Sequence, residues 1–427
     1  MLLPYRRFGR TNIDMPVLSL GGMRFQKSWQ QLEFNDISKE EQNKVIKILE
    51  LADLYGLNHI ETARHYGTSE LQLGSAFKDM DINSKIIQTK IPPNEDINKF
   101  QDELKMSFQK LGIKKIDLLA IHGINTFEHL HQAIREGGCV DALRKWQKDN
   151  MIGHVGFSTH GSSSLIQEAI SSNKFDFVNL HWYFINQINI KAIKLAEKFD
   201  LGVFIISPTD KGGHLHTPSE KIYKLCKPIH PIVFNDLFCL NNNSVHTLSV
   251  GAAKESDFDY HLEAISLLHK SNDLVSSIET KLTQESIKVL GVDWYQNWDK
   301  NLPTWKNTPG EINIPVLLWL SNLLEAWDLE SFTKARYQLL GNGGHWFPGN
   351  NSNSLDVSVT ENDLYKSLIN HPNPKKVIKK LRLLKKKFGA GEQPRLSTTQ
   401  QHEFIKDILQ VCLFLLDKNQ DNFALVL

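Results

Sequence analysis

Short apolar segments alternate with helical stretches from Val17 to Val250, and this alternation restricts the fold more than any other property of the chain. The strand candidates are residues 17–20, 58–62, 86–90, 117–121, 154–157, 177–181, 203–206 and 247–250. Helical patterns such as 41–55, 97–111 and 191–199 separate them. Strands joined by helices pair in parallel through right-handed crossovers. Eight such units predict an α/β fold closed into a (β/α)8 barrel. An open doubly wound sheet would carry a Gly-x-Gly-x-x-Gly turn after its first strand. Gly21-Gly22-Met23 is too short to be that turn.

The pattern changes after about Ser271. Residues 314–325 and 332–340 read as helices, and 341–354 as a loop rich in Gly, Asn and Ser. At 427 residues the chain exceeds one ordinary core, so two domains are expected. They are a barrel over 1–270 and a mostly α-helical C-terminal domain over 271–427. Residues 375–387 alternate lysines with Val377, Ile378, Leu381, Leu383 and Leu384. This reads as a basic amphipathic helix, by default a solvated face over a packed one, the other use of such helices being acidic partners or membrane surfaces.

Net charge and cysteine usage narrow the function. A formal charge of +1 argues against a nucleic-acid partner held by bulk electrostatics. No apolar run reaches signal-peptide or membrane-spanning length. Cys139, Cys226, Cys239 and Cys412 form no C-x-x-C pair, so no disulfide framework is expected and a reducing cytoplasm fits. His214 and His216 in a glycine loop are weak evidence for a metal, and no metal site is expected.

Four ionisable residues fall at the carboxyl ends of successive strands: Glu61, Tyr66, Lys90 and His122. In a parallel barrel those ends converge on one rim, where barrel enzymes keep their chemistry. A free phenol, with a pKa of about 10, is a poor acid near neutrality. A neighbouring lysine cation stabilises phenolate and lowers that pKa. A carboxylate keeps the lysine charged, and an imidazole can orient a substrate oxygen. Any one of these residues alone reads as structure; the four together read as a proton-transfer site.

The stretches that carry this set resemble the aldo-keto reductase family. They are Gly56-Leu57-Asn58-His59-Ile60-Glu61-Thr62-Ala63, Tyr66-Gly67-Thr68-Ser69-Glu70 with Leu73-Gly74, Thr89-Lys90, and Asp117-Leu118-Leu119-Ala120-Ile121-His122. The resemblance runs to about Ile265. It implies a (β/α)8 barrel that binds NADPH without a Rossmann fold and reduces a carbonyl by hydride transfer. Carried over, Tyr66 is the general acid, Lys90 lowers its pKa and His122 orients the carbonyl. Glu61 stands where the family has aspartate, which leaves its reach to Lys90 open.

The same resemblance implies a cofactor set. Gly22 and Met23 follow the first strand. In Gly156-Phe157-Ser158-Thr159-His160, Ser158 matches the family's carboxamide-binding serine, while Thr159 replaces an asparagine. Asn179 stands where glutamine is usual. Ser207, Pro208, Lys211 and Gly212 belong to a loop similar to the family's pyrophosphate loop, preceded by Ile206 where a tyrosine often stacks. Gly251 and Lys254 follow the eighth strand. Lys254 matches a residue for the adenosine 2′-phosphate, and reads equally well as a surface lysine.

Residues 312–315 and 334–337 resemble the tail of bacterial members that add a ferredoxin-like cluster domain. Residues 340–350 contain no cysteine here, so no iron–sulfur cluster is expected. Such a tail is left to cover the mouth, shape the pocket or mediate assembly. Its Gly343-Gly344-His345-Trp346 loop lines the site or is structural. The expected activity is NADPH-dependent reduction of a small aldehyde or ketone. The alternative is a regulatory or assembly protein with a degenerate cofactor site, motivated by Glu61, Thr159 and Ile206.

Overall fold

The computed structural model describes residues 3–26, 28, 32–341 and 347–389. The chain opens with a hairpin, β1 (Tyr5–Arg7) against β2 (Asp14–Pro16), antiparallel. Eight parallel strands follow: β3 (Leu18–Gly21), β4 (His59–Glu61), β5 (Ile86–Ile91), β6 (Ile116–Ile121), β7 (Ile152–Ser158), β8 (Phe177–Leu180), β9 (Gly202–Ile205) and β10 (Thr247–Val250). They close in the order β10-β3-β4-β5-β6-β7-β8-β9. The expected (β/α)8 barrel is therefore realised, with strand ends within two residues of those read from the sequence. These strands are apolar runs because helices cover their outer faces while their inner faces fill the barrel.

The hairpin lies outside the eight expected strands. Its strands have three residues each, too few to show a period, and the turn between them relies on Asn12 in the left-handed region. Phe8 packs on Phe177 at 5.7 Å between ring centroids and covers Gly202, the first residues of β8 and β9. With Met15 it joins Leu118, Ala120, Phe177 and Phe204 in a small inner cluster. The hairpin thus plugs the amino end of the barrel and leaves the carboxyl end as the mouth.

Side chains alternate across a strand, so one inward column on β4 holds His59 and Glu61, and one on β5 holds Gln88 and Lys90. Ser19 Oγ lies 2.6 Å from His59 Nδ1 and 2.6 Å from Thr247 Oγ1. Burial drives the His59 imidazole down to about 3. The unfolded chain takes up this proton below pH 6.5 and the folded chain does not, so stability falls as pH drops. Between pH 7.5 and 5.5 this one group removes about 1.4 kcal/mol. Urea unfolding at both pH values should show that difference shrinking by this amount in His59→Asn.

The helix Ser69–Ala76 crosses the end of the helix Ile97–Leu111. A Cβ on Gly74 would lie 1.9 Å from the Lys110 carbonyl oxygen, which explains the glycine in the Leu73-Gly74 pair. Gly74→Ala is expected to lose about 1–3 kcal/mol, read as a lower thermal midpoint.

Beyond the barrel the helices Ser271–Leu290, Ile314–Trp327, Glu330–Leu339 and Pro374–Phe388 share one hydrophobic cluster with the barrel's outer shell. The basic helix buries Val377, Ile378, Leu381, Leu384 and Phe388, whereas Leu383 is exposed. On its other side Arg382 meets Asp356 at 2.7 Å and Glu361 at 2.8 Å, and Lys387 meets Glu330 at 2.7 Å. Several of its cations are thus spent on neighbours within the chain. No helix among the described residues is long and apolar enough to cross a membrane. Cys139, Cys226 and Cys239 are buried free thiols, and Cys412 lies outside the described residues.

Candidate active site

The turn after β4 presents Tyr66 through backbone pairing that continues past the strand. Thr62 N donates to Gln88 O at 2.8 Å and Arg64 N to Lys90 O at 3.0 Å. Tyr66 N then donates to Ala63 O, and Gly67 follows with φ of 51°, which turns the chain into the next helix. Beneath the turn the buried Arg64 meets Glu103 at 2.7 Å and Glu70 at 3.8 Å. Glu70 in turn accepts from Thr89 Oγ1 at 2.7 Å. The tyrosine therefore stands on a clamped loop.

Glu61, Tyr66, Lys90 and His122 are brought together at the mouth. Lys90 Nζ contacts Glu61 Oε1, donates to Thr62 O at 2.8 Å and lies 3.2 Å from the Tyr66 hydroxyl. The extra methylene of Glu61 does not prevent the ion pair. Glu61 and Lys90 are 3 % and 1 % exposed, so this pair is dry. Tyr66 and His122 are half-buried, with ring centroids 5.8 Å apart in an edge arrangement.

Burial governs the proton affinities here. It pushes the Tyr66 phenol above its ordinary value and the Lys90 ammonium well below its own. The expected downward pull of Lys90 on the phenol is thus outweighed, because desolvation penalises phenolate more than the cation relieves it. Burial, then Lys90 and His65, drive His122 far down, so its imidazole is neutral. The result is a protonated phenol beside a paired lysine and a neutral histidine.

Further round the mouth, Ser158 Oγ accepts from Gly123 N at 3.1 Å. Thr159 Oγ1 donates to Ile124 O at 2.6 Å and accepts from Gly161 N at 2.9 Å, so its hydroxyl holds the loop. Asn179 shares the inward face of β8 with Phe177 and is fully buried. Neither its Oδ1 nor its Nδ2 has a hydrogen-bond partner. A buried carboxamide left this way calls for a polar partner, an ordered water or a ligand, and a nicotinamide carboxamide has the donor and acceptor chemistry to be one. Ser207 adopts φ of 52° and leads into the short helix Pro208–Lys211. Gly212 packs so closely that a Cβ would lie 2.2 Å from Pro208 O. Gly22 is buried under Glu61 and accepts from Ser69 Oγ at 2.8 Å, while Met23 is half-buried. Gly251 abuts Arg24, and Lys254 is exposed.

Sequence reasoning quoted His160 and Arg336 within longer motifs without giving them a role, missed Tyr183, and counted His181 only as a strand end. His181 had a readable signal: two residues beyond Asn179, it continues the inward face of β8. Arg336, on the helix Glu330–Leu339, reaches Asp210 Oδ2 at 3.2 Å. No local pattern points a C-terminal arginine at a loop so far back in the chain. His345 and Trp346 lie outside the described residues.

Fold and site together define a barrel protein with a cluster of ionisable side chains at its carboxyl rim. The chain belongs to the aldo/keto reductase family, whose sequence model matches residues 17–294. By that membership it is an oxidoreductase. Among solved structures it is similar to an aldo-keto reductase from Bacillus halodurans in holo form, at 17 % identity and TM-score 0.54, over 65 % of this chain and 96 % of that one. A thermostable aldo-keto reductase in complex with epalrestat is 20 % identical with TM-score 0.53, over 65 % and 100 %. One from Klebsiella pneumoniae, in complex with NADPH, is 14 % identical with TM-score 0.50, over 64 % and 94 %. At these identities the likeness is one of fold. No curated protein matches the chain.

Proposed function

We propose that this protein is an NADPH-dependent reductase of a small aldehyde or ketone, with Tyr66 as the proton donor. The observation that carries the reading is Lys90 Nζ at 3.2 Å from the Tyr66 hydroxyl while it also contacts Glu61. When bound, the dinucleotide would supply the hydride. Tyr66 keeps its proton at the hydroxyl until a carbonyl oxygen gains negative charge, then releases it there. Lys90 offsets the charge left on the phenolate, and Glu61 holds Lys90 in place. His122, neutral, donates an N–H to the same oxygen and orients it.

Asn179 and Ser158 would hold the nicotinamide carboxamide, with Thr159 shaping their loop. Gly22, Met23, Ser207, Pro208, Lys211, Gly212 and Gly251 would line the phosphates, and Lys254 would meet the 2′-phosphate. The barrel unit is taken as 1–270, and the cytoplasm as its compartment. NADPH should raise the thermal midpoint and quench tryptophan fluorescence, and an aldehyde panel should drive its oxidation. Binding without oxidation across the panel would favour the regulatory reading. Absence of any thermal shift or quench would defeat both.

A further inference from the structure

A second polar cluster stands across the mouth from Tyr66. In the eight-stranded ring β4 and β8 are four strands apart, so their ends face each other. His181, just past β8, stacks on His160 at 4.6 Å between centroids, with His160 Nδ1 against His181 Nε2. Lys211 Nζ lies 3.3 Å from the same Nε2. The Tyr183 hydroxyl donates to the Ile206 carbonyl, so its oxygen accepts from His181 Nδ1. That assigns the tautomer: His181 Nε2 carries the lone pair, and the nitrogens of Lys211 and His160 face it.

Arg336 completes the cluster from outside the barrel. Besides its bond to Asp210, its guanidinium sits 5.2 Å from the centre of the Phe332 ring. His214 anchors the same helix through Ser331 at 3.0 Å. Burial brings Lys211 down to about 7, with Arg336 adding to the fall and Asp210 opposing it. Burial also lowers His181 and His214. An anion placed beside the guanidinium of Arg336 and the amine of Lys211 would keep that amine protonated, so the pair matches a ligand rich in acceptor oxygens.

We infer that Arg336 and Lys211, beside the paired His160 and His181, bind an anionic oxygen group, a carboxylate or a phosphate, on a molecule held in the mouth. The C-terminal helix thereby supplies part of the ligand site. The identity of that molecule, substrate or dinucleotide, rests on the reductase reading; the affinity for an anion does not.

Inorganic phosphate is the probe for the anion alone. It should raise the thermal midpoint of the wild-type chain, and Arg336→Met should weaken its apparent affinity by about tenfold to a hundredfold. Should that variant fold poorly, Asp210→Asn with Arg336→Met removes both charges of the pair and leaves none stranded. Two further arms locate the anion. A substrate-borne group predicts that the preference for glyoxylate over acetaldehyde, or for glyceraldehyde 3-phosphate over glyceraldehyde, falls by about tenfold or more in kcat/KM. A dinucleotide-borne group predicts a matching rise in the NADPH dissociation constant instead. Either supports the site. Phosphate that protects neither protein, or both equally, overturns it, whatever the turnover measurements show. Failure of the reductase reading would appear separately, as absent NADPH binding with phosphate protection intact.

Discussion

Tyr66→Phe is expected to lower kcat by about a hundredfold to ten-thousandfold while NADPH binds as before. The substitution removes one oxygen and keeps the ring. The edge contact with His122 at 5.8 Å and the Lys90 ammonium 4.6 Å from the ring centre both involve the ring itself. Lys90 also retains Glu61 and the Thr62 carbonyl, so the loss of its contact to the phenol leaves no stranded charge. Thermal stability should therefore hardly move, and the loss should appear in single-turnover rates measured at saturating NADPH. A variant that turns over like the wild type would take Tyr66 out of the chemistry.

Lys90→Met should act on stability first. Glu61 is 3 % exposed, and removing its partner leaves a buried carboxylate uncompensated. Breaking a buried pair in this way costs about 3–5 kcal/mol. The double variant Glu61→Gln with Lys90→Met removes both charges together, and most of the stability should return. Activity should not return with it, because the protonated phenol then has no cation to offset phenolate. Urea denaturation of the three proteins separates the two roles. A single variant as stable as the wild type would mean that Glu61 carries no charge in the folded chain.

The division between what the sequence revealed and what it concealed has physical causes. Parallel strands buried on both faces leave continuous apolar runs, and that is why the eight barrel strands could be read. Groups at the carboxyl ends of strands are legible as a set, which is how Glu61, Lys90 and His122 were found. The Ser19–His59–Thr247 bonds inside the barrel were not anticipated, because polar residues in a short strand look like solvent-facing positions until the ring closes around them. The proton affinity of Tyr66 shows the limit of such reading. A neighbouring cation can be read from spacing, whereas the depth of burial that outweighs it depends on every element packed above. Thr159 stands where the resemblance implies an asparagine, and its hydroxyl bonds to Ile124 and Gly161. Arg336 depended wholly on long-range docking of a helix onto the Asp210 loop.

The Phe8 hairpin seals the floor of a barrel already filled by side chains, which leaves the carboxyl rim as the one way in. Whatever enters must leave by the same doorway, so a bulky occupant and a small one cannot pass independently, and the one seated deeper departs last. Changes to the floor are then free to adjust robustness without altering traffic. Under the anion-site proposal, changes to the helix bearing Arg336 would alter which guests are admitted.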